Sequence, residues 1–330
     1  MKADARIYVA GHRGLAGSAI ERRLRARGYR NLLLRAHAEL ELTDSTAVAD
    51  FFASERPKHV VLAAAKVGGI LANDAQPAEF IYQNLAIQTN VLHAAWRSGV
   101  QRLIFLGSSC IYPRECPQPM KEEHLLTGPL EPTNRAYALA KIAGVEMCWS
   151  YNRQYGTKFL AVMPTNLYGP GDDYDLGSSH VLPALVRKAH EAKLGGDAQM
   201  EVWGSGRPMR ELLYSDDMAD ACLFLLELSE ERFGKLVAPA VLPLINIGAG
   251  KEISIGELAR LVAEVVGFKG RLVFDASKPD GTPRKLLDSG RLDAIGWRAR
   301  TGLREGIERV YRLLYRETAG VKVAGNAALR

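Results

Sequence analysis

A glycine-rich loop between a short apolar run and a helical pattern most constrains how this chain can fold. Residues 6–10, RIYVA, have the composition of a buried strand, and residues 15–27 have helical spacing. Between them, Gly11, Gly14 and Gly17 form a G-x-x-G-x-x-G pattern. Such glycines let the backbone turn tightly and approach a pyrophosphate, while the helix N-terminus supplies free N–H donors and partial positive charge. The loop therefore predicts a dinucleotide-binding strand–loop–helix unit.

Strand and helix patterns continue to alternate through the first half of the chain. The remaining strand patterns lie at residues 31–35, 59–63, 102–106 and 158–163, and helical patterns at 47–54, 77–98 and 137–155. Alternation with short connections is typical of a parallel sheet covered by helices on both faces. The expected fold class is α/β, a Rossmann-type doubly wound parallel sheet with a smaller α/β substrate-binding lobe.

The texture of the sequence changes after about residue 170, where elements shorten and Gly- and Pro-rich turns become frequent. We expect residues 1–170 to form an NADP-binding Rossmann domain, to which residues of about 210–250 return. Residues 171–318 are expected to form mainly the substrate-binding lobe. The Ala-, Gly- and Val-rich residues 319–330 are expected to be a flexible tail.

Composition excludes several classes of function. The chain has no apolar run near the roughly 18 residues of a membrane span and no apolar signal region before the first strand, which favours a cytoplasmic protein without membrane association. Its four cysteines lack metal-type spacing, so we expect free thiols and no metal site. A net charge of +6 fits either solubility or an acidic ligand such as a nucleotide. No basic run with interleaved aromatics favours nucleic acid.

Tyr137 and Lys141 lie four residues apart in a helical pattern and therefore share one helix face. A free tyrosine, with a pKa of about 10, is a poor acid–base catalyst near neutral pH. A neighbouring ammonium and an oxidised nicotinamide ring would favour the phenolate and lower that pKa. Ser108, at the end of the strand pattern 102–106, would hydrogen-bond a substrate carbonyl. These three residues predict carbonyl reduction.

The end of the second strand pattern bears on the choice of nicotinamide cofactor. An NAD site usually places Asp or Glu there for the ribose 2′-hydroxyl, but this chain has Leu34-Arg35-Ala36-His37. Arg13 and Arg35 could hold a 2′-phosphate, since a guanidinium suits it; the alternative is two solvated surface arginines. The pattern favours NADP (NADPH), with Asp44 on the adenine side.

These motifs resemble the extended short-chain dehydrogenase/reductases and, within them, the GDP-L-fucose synthase family. The segments that carry the resemblance are AAAKVGGI (63–70), FIYQN (80–84), LGSSCIYP (106–113), SYNRQYG (150–156), MPTNLYGP (163–170), SHVLPAL (179–185), VWGSGRPMRE (202–211) and FDASKPDGTPRKLLD (274–288). The resemblance implies a cytosolic homodimer that acts on a GDP-sugar. It also implies cofactor contacts from Gly11, His12, Arg13, Gly14, Leu15, Ala16, Gly17, Arg35, His37, Asp44, Leu106, Gly107, Lys141, Pro164, Thr165, Asn166, Leu167 and His180.

The resemblance further implies that Cys110 and His180 invert C3 and C5 of a 4-keto sugar. Both protons are acidic because each carbanion delocalises into the ketone, and inversion needs a base and an acid on opposite faces of the ring. We assign Cys110 as base and His180 as acid, but the sequence leaves the direction open. The bland alternative for Cys110 is a small buried hydrophobe. Sugar-nucleotide dehydratases typically carry Thr-Asp-Glu where this chain has Ser108-Ser109-Cys110, which disfavours water elimination.

The nucleotide end of the substrate is assigned on the same basis. Trp203 offers a flat apolar wall, or is simply core packing, and the Arg210 guanidinium can pair with a diphosphate. Lys188 and Asp280 are also implied. Lys188 stands where the family pattern has arginine, which keeps charge but loses the bidentate fork.

Two further departures concern the cofactor and the catalytic helix. His37 replaces an arginine near the 2′-phosphate, so the preference for NADP could be softened. Arg135-Ala136 replace a Glu-Pro pair before Tyr137, which could change the loop leading into the catalytic helix.

Two other functions stay open at this level. A sugar-nucleotide 4-epimerase of the same fold would use Ser108, Tyr137 and Lys141 but would not need Cys110 or His180. A non-catalytic dinucleotide-sensing protein would have no use for a tuned phenol.

Overall fold

The computed structural model describes residues 1–278 and 280–315, so the tail expected at 319–330 lies outside the described residues. Its strands are β1 (Ile7–Ala10), β2 (Leu32–Leu33), β3 (His59–Leu62), β4 (Arg102–Leu106), β5 (Phe159–Pro164), β6 (Asn166–Tyr168), β7 (Gln199–Trp203), β8 (Met209–Tyr214), β9 (Leu244–Ile247), β10 (Glu252–Ser254), β11 (Arg271–Asp275) and β12 (Arg284–Lys285). Its α-helices are α1 (Leu15–Ala26), α2 (Ser45–Glu55), α3 (Ile70–Ala75), α4 (Pro77–Arg97), α5 (Arg135–Tyr155), α6 (Val181–Gly195), α7 (Ser215–Glu227), α8 (Glu230–Leu236), α9 (Ile255–Val266), α10 (Gly290–Ala294) and α11 (Leu303–Tyr315).

The main sheet has the strand order β2-β1-β3-β4-β5-β9, and every neighbouring pair is parallel. From β1 the chain moves to β2 on one side and then crosses to β3 on the other. Ligands of doubly wound sheets bind at such a switch point, outside the carboxyl ends of the strands. The arrangement confirms the predicted Rossmann-type fold and directs attention to the crevice between β1 and β3.

Both faces of this sheet are buried, because successive side chains of a strand point to opposite sides. Ile7 and Val9 belong to a core shared with α1 and α7. Tyr8 points to the other face, where it packs against Phe51 and Phe52 of α2. Helices α4 and α5 cover the same face as α2. Continuous apolar strands are therefore explained by a sheet sandwiched between helices.

Helix α5 lies unusually close to β4. A Cβ atom added at Gly144 would stand 2.3 Å from Cζ of Phe105, which no side chain permits. One turn earlier on the helix, the Lys141 ammonium donates a hydrogen bond to the backbone oxygen of Leu106 at 2.9 Å. The close approach therefore brings the predicted catalytic face of α5 to the carboxyl end of β4.

The remaining elements build a second core. Helices α6, α9 and α11 pack around Leu182, Val186, Leu258, Val262 and Ile307. Strand β8 pairs with β6 and β12 in parallel and with β10 antiparallel, and β7 pairs with β11. The lobe is thus an α/β unit whose strand β8 stands beside β6, the direct continuation of β5.

A buried carboxylate joins the lobe to the main sheet. Glu211 in β8 is fully buried, and its two oxygens accept hydrogen bonds from the backbone N–H of Leu287 at 3.0 Å and of Gly250 at 2.8 Å. Gly250 follows β9 of the main sheet, and Leu287 follows β12 of the lobe. One side chain therefore fixes the relative position of two segments that are distant in sequence.

We predict that Glu211→Leu lowers the free energy of unfolding by roughly 2–6 kcal/mol, since two buried amides would each lose an acceptor at about 1–3 kcal/mol. Urea denaturation followed by circular dichroism measures the change. The matched control is Glu252→Leu, because Glu252 is the β10 residue that pairs with Glu211 but its carboxylate bonds only the surface residue Arg284. Equal losses for both variants would contradict the clamp.

Candidate active site

The glycine loop after β1 has the geometry of an anion cradle. Gly11 adopts a positive φ of 81°, and a Cβ at Gly17 would stand 2.0 Å from the carbonyl oxygen of Gly11. Helix α1 starts at Leu15 after Gly14, which provides no side-chain cap for the first turn. The N–H groups of this turn are therefore left for a ligand, and the helix dipole favours a negative one.

His12 strengthens this assignment. Its Nδ1 atom is buried and has no hydrogen-bond partner among the described residues. A buried polar atom without a partner is costly, and here it lies in the loop that would surround a pyrophosphate. The residues of the loop thus fit an anionic dinucleotide.

The predicted 2′-phosphate residues have different surroundings. Arg13 is exposed and makes no hydrogen bond or ion pair within the part of the chain that is described. Arg35 is engaged instead, donating to Oε1 of Glu55 at 2.6 Å, and the exposed His37 lies 3.1 Å from Glu41. A phosphate would meet Arg13 free and would compete with Glu55 for Arg35.

Asp44, predicted on the adenine side, has a structural task. Its Oδ1 accepts hydrogen bonds from the backbone N–H of Thr46 and Ala47 at 2.9 and 3.0 Å and so caps α2. An N-cap of this kind stabilises a helix by about 1 kcal/mol.

The loop after β4 presents the thiol. Gly107 must be glycine, because a Cβ there would stand 1.8 Å from Cε of Met163. Ser108 caps the short 3₁₀ turn that follows, and the Cys110 thiol donates to its Oγ at 3.2 Å. Cys110 is 6% exposed, yet its neighbours include Ser108, Lys141 and Lys285. The thiol is therefore buried among polar and cationic groups.

Burial raises the pKa of the Cys110 thiol above its ordinary value. Three groups oppose this shift: Lys285, the hydrogen bond with Ser108, and Lys141. The other three cysteines (Cys116, Cys148, Cys222) are also free and buried. For them, desolvation is the leading cause of a raised pKa, and no neighbouring cation opposes it. Cys110 differs from them by the charges around it.

Tyr137 departs from the expected protonation. Burial raises its pKa, Cys110 raises it further, and a hydrogen bond with Ser108 opposes both. The predicted lowering by Lys141 is absent because that ammonium bonds the oxygen of Leu106. Burial lowers the pKa of Lys141 itself to about 8. In the protein without cofactor, the phenol is therefore held neutral, as a proton donor would be.

The predicted nicotinamide segment joins the main sheet to the lobe. Pro164 ends β5, and Asn166 and Leu167 begin β6. Between them, Thr165 is buried and donates to the backbone oxygen of Glu211, as does the Asn166 amide at 3.1 Å. The segment is fixed by the same residue that clamps the lobe.

His180 stands at the start of α6, in the N-cap position. The residue as a whole is exposed, but loss of hydration around its ring lowers the pKa of His180. Asp173 opposes this shift and Lys285 adds to it. Lys285 therefore acts electrostatically on both predicted epimerisation residues.

The four predicted nucleotide-side residues are neighbours in the lobe. The Lys188 ammonium lies 4.7 Å from the ring centroid of Trp203, and Trp203 is 51% exposed, so it is not core packing. Asp280 accepts hydrogen bonds from the backbone N–H and the hydroxyl of Ser205 at 2.6 and 2.7 Å. The Arg210 guanidinium donates to the backbone oxygen of Thr282 at 2.6 Å. An aromatic surface and two cations thus share one end of the site.

Sequence reasoning missed two residues of the site, Lys285 and Glu211. Both lie within segments that carry the family resemblance, residues 202–211 and 274–288. Their local sequence gives no sign of a role, because their partners are about forty to one hundred and seventy residues away.

Metal binding and membrane spanning find no support in the described ranges. Residues 1–278 and 280–315 contain no group of three or more His, Cys, Asp or Glu side chains placed to hold a metal ion. No helix among them is long and apolar enough to cross a bilayer.

Comparison with known proteins places this geometry. The model of the NAD dependent epimerase/dehydratase family matches residues 7–237. The chain is 56% identical over 306 residues to a GDP-L-fucose synthase of Escherichia coli (strain K12), covering 93% of this chain and 95% of that protein. It is 55% identical over 308 residues to GDP-L-fucose synthase 1 of Arabidopsis thaliana, covering 93% and 92%.

A solved structure with bound cofactor is also similar. The GDP-mannoheptose C4 reductase from Campylobacter jejuni with NADP bound superimposes with a TM-score of 0.87 at 38% identity, covering 95% of this chain and 99% of that one.

We predict that Gly17→Ala weakens NADPH binding at least about tenfold, because the new methyl group would overlap the backbone of Gly11 and displace the loop. Fluorescence titration with NADPH measures the affinity. Gly14→Ala is the matched control, since its φ of −80° suits alanine and the nearest atom to a Cβ there is 3.6 Å away. Unchanged affinity in Gly17→Ala would remove the loop from the cofactor site.

Proposed function

The chain is an enzyme of the NAD dependent epimerase/dehydratase family, and from that premise we propose that it is a GDP-L-fucose synthase. It would convert GDP-4-keto-6-deoxy-D-mannose to GDP-L-fucose by 3,5-epimerisation and NADPH-dependent 4-reduction. The observation that carries the proposal is Cys110, a thiol held by Ser108 in the electrostatic field of Lys285 and Lys141, beside the neutral phenol of Tyr137. A reductase without epimerisation has no need of that thiol.

In the first stage, Cys110 and His180 invert the two centres next to the ketone. The thiolate removes the proton from C3 or C5, and the resulting enolate delocalises its charge onto the C4 oxygen. His180 delivers a proton to the opposite face of the ring. Its lowered pKa makes the imidazolium a stronger acid. After each inversion the two groups exchange protons with solvent, so solvent hydrogen enters C3 and C5.

In the second stage, the C4 ketone becomes an alcohol. Bound NADPH supplies the hydride for this carbon. Tyr137 supplies the proton to the C4 oxygen, for which its raised pKa is suited because the phenol stays protonated at neutral pH. Ser108 donates a hydrogen bond to the same oxygen, and Lys141 orders the end of β4 through the oxygen of Leu106.

The remaining predicted residues bind the two nucleotides. Residues 11–17 would hold the pyrophosphate of NADPH, Arg13 and Arg35 its 2′-phosphate, and residues 164–167 its nicotinamide. Trp203 and Lys188 would contact the GDP moiety, Arg210 its diphosphate, and Asp280 would order the loop through Ser205. The NADP-bound C4 reductase supports this choice of cofactor. A cytoplasmic homodimer stays a prediction from the resemblance.

The test is incubation with GDP-4-keto-6-deoxy-D-mannose and NADPH, followed by product identification. We expect stoichiometric loss of NADPH absorbance and GDP-L-fucose as product. Reduction without solvent hydrogen at C3 and C5 would instead make the chain a C4 reductase. Turnover without net NADPH oxidation would favour a 4-epimerase, and binding without turnover a sensor.

Two variants should separate the stages. Tyr137→Phe should reduce NADPH oxidation at least about a hundredfold, as loss of a general acid does, while incorporation of solvent deuterium at C3 and C5 continues. Cys110→Ser should slow deuterium incorporation and reduction together, because reduction follows epimerisation. Mass spectrometry of the recovered sugar in D₂O measures both. Wild-type incorporation in Cys110→Ser would make the thiol structural.

A further inference from the structure

Strand β12 directs one lysine into the site. Its first residue, Arg284, faces the surface and donates to Glu252 at 2.8 Å. Because successive side chains alternate, Lys285 points to the other side of the strand. There it stands beside Arg210, its pairing partner in β8.

The backbone on both sides of Lys285 is fixed. The N–H of Met209 bonds the oxygen of Pro283 at 2.8 Å, and the N–H of Met120 bonds the oxygen of Leu286 at 2.8 Å. The Glu211 clamp holds Leu287. Met120 lies ten residues after Cys110, so the loop that follows the thiol is joined directly to the segment that carries Lys285.

Lys285 has no compensating partner among residues 1–278 and 280–315. It is half-buried, and its ammonium forms neither a hydrogen bond nor an ion pair there. The charged groups that influence it are Cys110, Arg210 and Glu131. Two like charges side by side, both removed from water, are unfavourable unless an anion lies near them. The cluster therefore calls for negative charge.

We propose that Lys285 is a positioning residue for epimerisation, whose ammonium stabilises the thiolate of Cys110. The catalytic consequence rests on the proposed function, whereas the coupling between the two side chains does not. Base strength is thereby supplied from the lobe, although the thiol belongs to the main sheet.

The electrostatics of both groups agree with this geometry. Lys285 is the largest influence opposing the burial that raises the pKa of Cys110. In turn, burial lowers the pKa of Lys285, and Cys110 is the foremost group that raises it. The other groups facing the thiol are Ser108 of its own loop and Tyr137 and Lys141 of α5.

The test compares Lys285→Met, Lys285→Arg and the control Arg284→Met, whose side chain lies on the opposite face of the same strand. Iodoacetamide alkylation of Cys110, followed by peptide mass spectrometry from pH 6 to pH 10, reports the thiolate fraction without any substrate. We expect alkylation about tenfold slower at neutral pH in Lys285→Met, equivalent to one pKa unit, with a profile displaced to higher pH. Lys285→Arg should restore the rate, and Arg284→Met should match the wild type.

An alkylation profile of Lys285→Met identical to that of the wild type would overturn the proposal. So would a raised KM for the GDP-sugar with an unchanged profile, because Lys285 would then be a diphosphate contact. NADPH affinity shows that each variant is folded, and Lys285→Gln replaces Lys285→Met if the latter does not fold.

Solvent deuterium incorporation at C3 and C5 provides the catalytic readout. It should fall in Lys285→Met by a factor similar to that of alkylation, and recover as pH rises. If wild-type protein incorporates no deuterium while alkylation still depends on Lys285, the proposed function fails and the coupling stands.

Discussion

The close approach of α5 to β4 is the constraint on which the site depends. Gly144 leaves room for the Phe105 ring, and the helix can then bring Lys141 within hydrogen-bonding distance of the Leu106 oxygen. The strand ends at that oxygen, and the next residues form the loop that carries Ser108 and Cys110. A larger residue at the helix crossing would move the phenol and the ammonium away from the thiol together. Catalytic geometry here follows from a packing requirement in the core.

Burial has opposite effects on the groups gathered at this point. It raises the pKa values of Cys110 and Tyr137 and lowers that of Lys141, because a low-dielectric environment disfavours every charged form. Left to burial alone, the thiol and the phenol would both stay neutral. A base therefore needs a specific cation, whereas a proton donor does not. Lys285 faces the thiol, and the ammonium nearest Tyr137 is directed to a backbone oxygen.

Features encoded by neighbouring residues could be predicted from the sequence. The Gly11–Gly17 loop, the strand that ends at Leu106 and the helix through Tyr137 and Lys141 depend on local pattern, and the structure contains each. The second strand is shorter than its pattern, Leu32–Leu33 rather than 31–35, since only these residues pair with β1. The direction of the Tyr137 shift was wrong because helical spacing places Lys141 on the same face but does not say which atom it bonds. Lys285 and Glu211 act across long sequence separations, which no local pattern records.

The mutual influence of Cys110 and Tyr137 bears on the order of the two chemical stages. Charge on the thiol raises the pKa of Tyr137, since a neighbouring negative charge disfavours a second one. While Cys110 is a thiolate, competent to remove a proton from the sugar, the phenol is held in its protonated form. The state of the site that can epimerise is therefore also the state in which the proton for C4 is kept in reserve. A single low-dielectric pocket can thus hold a base and an acid at once, provided that the cation supporting the base comes from another element of the fold.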